Sequence, residues 1–133
     1  MDMSVCEFAL GDSKLRIAAG MHDVLIVKDG RLIRERGSRR SIGGPITSLT
    51  KDFGLTEVQL IAGDRVFVFS DGVVDQFGGE AGKKLKISGL MAWIEETKHL
   101  PMAEQAEALR EHFHNWIGDR DQVDDVLLIG VEA

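Results

Sequence analysis

Two strongly apolar runs, each with acids at one end, constrain this chain more than anything else in it. In GDRVFVFSDGVVDQFGG, residues 63–79, the run Val66-Phe67-Val68-Phe69 leads into Ser70-Asp71-Gly72. In QVDDVLLIGV, residues 122–131, Asp124 and Asp125 precede Val126-Leu127-Leu128-Ile129. Short apolar runs bounded by polar turn residues read as buried strands. A strand anchored in a core fixes whatever stands at its end, so each run holds carboxylates on a rigid rim. Two such rims brought together make an oxygen-rich site for a hard divalent cation. The chemistry that follows is metal-assisted attack of water on a phosphoryl group.

The rest of the chain divides by hydrophobic period. Residues 3–10 alternate, with Cys6, Phe8 and Leu10 on one face, and residues 14–19 put Leu15 and Ile17 inward. Gly11-Asp12 lies between them as a turn. Val24 to Val27 is a short buried strand, and Asp29-Gly30 predicts a tight hairpin to a returning strand over Leu32 to Arg36. Glycines at 37, 43, 44 and 54 and Pro45 make residues 37–54 a loop. Glu57 to Leu60 and Arg65 to Ser70 form a further pair that turns at Ala62-Gly63-Asp64. The period then becomes helical. Ser88 is placed to cap a helix carrying Leu90, Trp93, Ile94 and Thr97. Pro101 suits the start of a second helix, whose inner face is Met102, Ala106, Leu109, Phe113 and Trp116 and whose stop is Gly118. Val126 to Val131 is the last strand. Strands followed by two helices and a strand imply an α+β fold.

Composition narrows the function classes. The chain has 133 residues, 44% hydrophobic and 29% charged, one globular domain's worth. No apolar run approaches the roughly 20 residues that span a membrane, and no secretory signal opens the chain. The single Cys6 forms no internal disulfide and reads as a small buried hydrophobe. These features suit the cytoplasm. A net charge of −6 argues against nucleic acid as partner. The basic cluster Lys28, Arg31, Arg34, Arg36, Arg39 and Arg40 could steer an acidic or phosphorylated protein, although a solvated hairpin face explains it as well.

In order along the chain, AAG at 18–20, SIGG at 41–44, GD at 63–64, SDG at 70–72, DQFGG at 75–79 and QVDD at 122–125 resemble the metal-dependent protein phosphatases of type 2C. The likeness is greatest to their bacterial SpoIIE-like branch. It implies an antiparallel β-sandwich flanked by helices. Residues 1–133 would be a single domain, the C-terminal portion of such a phosphatase domain without its N-terminal strands, because the family's opening Asp-Gly-x-Gly-His-Gly motif is missing. Open sheet edges would then favour a homodimer.

The resemblance also implies roles. Asp71 and Asp124 would bind a divalent metal, Mn²⁺ or Mg²⁺, with Asp125 a close alternative to Asp124. Gly72 would let the backbone turn sharply beside it. The intact family domain holds two such ions. The implied activity is hydrolysis of phosphoserine or phosphothreonine on a signalling protein, such as an anti-anti-sigma-type regulator, by a metal-activated water. No residue acts as a covalent nucleophile, so Ser70 is a strand-end hydroxyl. Asp64 reads as a turn residue and Asp75 as an exposed acid. His22, His99, His112 and His114 have no metal-binding spacing and read as structural or solvated. The rival reading is a non-catalytic binding module that keeps the phosphatase-like fold. Without the bridging aspartate, the chain alone is expected to be weakly active or inactive.

Overall fold

The computed structural model describes residues 2–9, 13–43 and 53–133, in nine strands and three helices. The proposed Gly11-Asp12 turn, Leu10, Gly44 and Pro45 lie outside the described residues. The chain forms two compact units, residues 1–66 with 132–133, and residues 67–131.

In the first unit, β1 (Met3–Ala9), β2 (Lys14–Gly20) and β5 (Thr56–Gln59) make an antiparallel sheet with β2 in the middle. Leu15, Ile17 and Ala19 alternate into the core, as period-2 patterning requires. Arg16, on the opposite face of β2, bonds Glu7 and Glu57 on the flanking strands. β3 (Val24–Lys28) is buried at all four apolar positions and pairs with β4 (Arg31–Glu35). The Asp29-Gly30 hairpin forms as the sequence predicts. Both residues have positive φ, 48° and 71°, the combination a two-residue type I′ turn needs.

Asp64 follows its expected role as a turn residue but is nearly fully buried, at 3% exposure. Its carboxylate accepts the Ile61 and Asp29 backbone N–H groups, both at 2.9 Å, and lies 3.7 Å from the Lys28 ammonium. The basic cluster is partly consumed locally. Lys28 also donates to the Gln59 carbonyl, and Arg34 is paired with Asp23 at 2.6 Å. Arg31, Arg36 and Arg39 remain exposed.

β6 (Arg65–Phe69) begins in the first unit and ends in the second. It pairs with β9 (Leu128–Glu132). Ala133 donates to the Asp64 carbonyl at one end and Ser70 donates to the Leu127 carbonyl at the other, so the two run antiparallel.

The second unit continues with α1 (Asp71–Asp75), a small β7–β8 ladder (Phe77–Gly78 with Lys83–Lys84), α2 (Lys86–Thr97) and α3 (Met102–Ile117). Its core is Phe67, Phe69, Val73, Leu85, Leu90, Ile94 and Leu109. Two buried polar side chains between the long helices satisfy each other: Gln105 donates to the Thr97 hydroxyl, which donates to the Trp93 carbonyl.

Three sequence expectations need correction here. Residues 57–60 and 65–70 do not pair with each other: β5 joins the sheet of β1 and β2, whereas β6 lies between β3 and β9. Ser88 does not cap α2; the helix starts at Lys86, because Leu85 is buried and packs directly over Gly89. Pro101 sits one residue before α3 and accepts the Gln105 N–H. Residues 71–75 form a short helix directly after the strand.

Candidate metal centre

β6 carries the first acidic corner. Its Val66, Phe67 and Phe69 are buried, Ser70 leaves it in an extended conformation, and Asp71 opens α1, where a negative side chain complements the free N–H groups. Asp71 itself is exposed, while Gly72 behind it is buried.

The second corner lies directly against that glycine. A Cβ on Gly72 would overlap the Asp125 carbonyl oxygen and stand 2.9 Å from its carbon, with the Asp124 carbonyl carbon 3.3 Å away. Gly72 therefore serves a close backbone approach. It is helical, so the sharp turn expected of it is not what requires glycine.

Ser70 fastens the same two segments. Its hydroxyl donates to the Asp125 carbonyl at 2.7 Å and accepts the Leu127 N–H at 2.9 Å. This is the strand-end role expected of it. Gln76 holds the approach to the corner from the other side. Fully buried, it donates to the Asp121 carbonyl at 3.0 Å and accepts the Val123 N–H at 3.2 Å. Residues 121–127 are thus pinned through their backbone by Gln76, Gly72 and Ser70. Asp124 and Asp125 are both exposed. One Asp124 carboxylate oxygen accepts the Asp125 N–H at 2.7 Å.

The remaining acid nearby is engaged elsewhere, since Asp75 is 3.0 Å from the Lys84 ammonium. Gly78 and Gly79 are not open to a ligand. They lie against Trp116, whose carbonyl accepts the Gly79 N–H and whose indole N–H donates to the Gln76 carbonyl. Of the histidines, His112 stacks on Trp93 at 5.5 Å and His22 bonds its neighbour's carbonyl.

The donors suit Mg²⁺ or Mn²⁺ in kind, being exposed carboxylates on fixed backbone. Among the described residues, however, no three His, Cys, Asp or Glu side chains come together in a metal-holding group. Gln76 is the residue whose part the sequence did not disclose. The one available signal was a lone amide side chain between Val73-Val74 and the Gly78-Gly79 pair.

The profile of the Stage II sporulation protein E family matches residues 1–133. The chain belongs to the SpoIIE family. Its structure is similar to the SiaA-PP2C domain of Pseudomonas aeruginosa, with a TM-score of 0.86 at 23% identity over 99% of this chain and 51% of that one. It is also similar to the phosphatase domain of SpoIIE from Bacillus subtilis (TM-score 0.66, 19% identity, 98% of this chain and 57% of that one). A third likeness is to the catalytic domain of the serine/threonine phosphatase PstP, solved with two manganese ions (TM-score 0.55, 18% identity, 97% and 56%). Comparison with curated proteins gave no match. This SpoIIE-family chain spans about half the length of those three structures. Its mixed α+β architecture, with antiparallel sheets and three helices, is that of the PP2C phosphatase domains. Among the described residues no helix is long and apolar enough to cross a membrane.

Proposed function

We propose that this chain serves a metal-dependent serine/threonine protein phosphatase of the SpoIIE kind, acting on phosphoserine or phosphothreonine of a cytoplasmic signalling protein. The observation that carries the reading is the contact of Gly72 with the Asp124–Asp125 backbone, which joins the two acidic corners. Asp71 and Asp124 would hold the cation, with Asp125 the alternative to Asp124. A bound Mn²⁺ or Mg²⁺ supplies charge neutralisation for phosphoryl oxygens and a water of lowered pKa. The two manganese ions of the PstP structure support the choice of metal.

The chain's own residues do the positioning. Ser70 and Gln76 fix the 121–127 backbone, so the carboxylates start from a rigid base rather than from a mobile loop. Exposure of Asp71 and Asp124 leaves room for a protein-borne phosphate to approach. A small anti-anti-sigma-type regulator is the substrate class the family likeness favours.

The absence of a three-carboxylate group among the described residues favours a second reading, a binding module that holds a phosphorylated regulator without hydrolysing it. It also leads us to expect little turnover from the 133 residues alone. The deciding experiment is Mn²⁺-dependent hydrolysis of a phosphoserine protein by the natural polypeptide that carries these residues, beside its Asp71→Asn variant. Activity lost in the variant with the fold retained supports the phosphatase. Equal turnover in both would remove Asp71 from the reaction, and binding without turnover in either would favour the module.

A further inference from the structure

Asp71 and Asp75 open and close α1, four residues apart. On a helix that spacing puts two side chains on one face, with Cβ atoms about 5–6 Å apart. Asp75 holds a cation, the Lys84 ammonium, 3.0 Å from its carboxylate. A lysine thus stands one helical turn from the carboxylate proposed for the metal.

The fold fixes that lysine from several sides. Phe77 and Lys84 face each other in the β7–β8 ladder, so their side chains share one face of the hairpin. The ammonium lies 5.8 Å from the centre of the Phe77 ring, within cation–π range. The next residue, Leu85, is buried, and its N–H donates to the Gln76 carbonyl at 3.0 Å. Gln76 also holds the Asp121 carbonyl and the Val123 N–H through its side chain. One buried residue therefore sets the base of Lys84 with its main chain and the approach to Asp124 with its amide.

These contacts hold Lys84 without consuming it. An ammonium carries three N–H donors, and one carboxylate does not use them all. Both side chains of the pair are open to water, at 43% and 51% exposure. Ion pairs so exposed add little to stability, so the fold gains little from placing a lysine here. A phosphate ester gains more. As a dianion it meets four aspartates at this corner, Asp71, Asp75, Asp124 and Asp125, and needs positive charge beyond that of a metal ion. A lysine supplies it as a point charge with charge-assisted hydrogen bonds.

We infer that Lys84 binds the phosphoryl group of the substrate, donating to one of its oxygens while Asp75 and Phe77 keep the ammonium in place. The inference rests on the phosphatase reading and adds to it a substrate contact that neither acidic corner contains. Lys83 is the natural control. It is exposed and one residue away, but it pairs with Gly78 and so belongs to the opposite face of the hairpin.

The test uses the natural polypeptide that carries these residues, with Mg²⁺, and a fluorescent peptide bearing the non-hydrolysable phosphonate analogue of phosphoserine. Anisotropy compares its binding with that of the matching serine peptide. Lys84→Gln should weaken the phosphonate peptide about ten-fold or more and leave the serine peptide unchanged. Lys84→Arg should restore most of the loss, and Lys83→Gln, with the same change of charge, should cause little. Mn²⁺ affinity, read by electron paramagnetic resonance, should not fall in Lys84→Gln, which separates loss of the phosphate contact from loss of the metal. Equal phosphonate binding in the parent and Lys84→Gln, or an equal loss in Lys83→Gln, would overturn the inference. Hydrolysis abolished by Asp71→Asn but undiminished in Lys84→Gln would overturn it and leave the phosphatase reading standing. A parent that neither binds the phosphonate nor hydrolyses phosphoserine would overturn both.

Discussion

The Ser70 hydroxyl donates to the Asp125 carbonyl at 2.7 Å, and through that bond the rim of one strand is tied to the approach of the other. The same oxygen accepts the Leu127 N–H. Two segments 55 residues apart in sequence thereby share one anchor. Ser70→Ala leaves a carbonyl and an N–H without their partner. The site is only partly buried, so water recovers some of the loss, and we expect destabilisation of about 1 kcal/mol. Urea unfolding measures it. Hydrogen exchange should locate the change at Leu127.

Gly72→Ala probes the same junction by crowding. The added methyl would overlap the Asp125 carbonyl, which is backbone and cannot swing aside. Overpacking of this kind costs about 1–3 kcal/mol. The urea midpoint should fall, and amide chemical shifts at Asp124 and Asp125 should move more than those of the first unit. A variant as stable as the parent would show that the two corners are less closely joined than described.

Gln76 makes a third test. Gln76→Leu keeps the volume but strands the Asp121 carbonyl and the Val123 N–H, at about 1–3 kcal/mol. Gln76→Glu retains an acceptor for Val123 but, when ionised, cannot donate to Asp121. That variant should regain stability as the pH falls and the buried carboxyl takes up a proton, since the protonated form can donate. A thermal melt series over pH reads the effect directly.

Much of this was legible in the sequence because it rests on local rules. Alternation gave β1 and β2, and Asp29-Gly30 gave its hairpin, but of the inner face expected of α3 (Met102, Ala106, Leu109, Phe113 and Trp116) only Leu109 is buried, together with Gln105, and Ala106 is exposed. What the sequence withheld depends on contacts between distant residues. The start of α2 moved from Ser88 to Lys86 because Leu85 is held in the core, and no local capping rule sees that. The reason for Gly72 is a carbonyl more than fifty residues away, not its own torsion angles. Gln76 looks like an ordinary polar residue until its partners at Asp121 and Val123 are in place. The acidic corners were readable as a pair. The number of carboxylates that actually gather was not, since side chains at exposed loop ends are set by what else surrounds them.

Cys6 offers a check on the first unit. Burial disfavours the thiolate and raises the pKa of this half-buried thiol above the ordinary value. The thiolate is the reactive form, so alkylation by iodoacetamide should be slower in the folded chain than in urea. The rate should climb with pH along a curve displaced to higher pH relative to the unfolded chain. Matching curves would mean that β1 does not shield its cysteine.

The central claim is that Asp71 and Asp124 act together on one divalent cation. The most direct measurement is Mn²⁺ binding, followed by electron paramagnetic resonance, in the parent chain and in Asp71→Asn, Asp124→Asn and Asp75→Asn. The account predicts that the first two weaken binding by about ten-fold or more, roughly 1.4 kcal/mol. Asp75→Asn should leave binding unchanged, because that carboxylate is already paired with Lys84. Equal binding in the parent, Asp71→Asn and Asp124→Asn would contradict it.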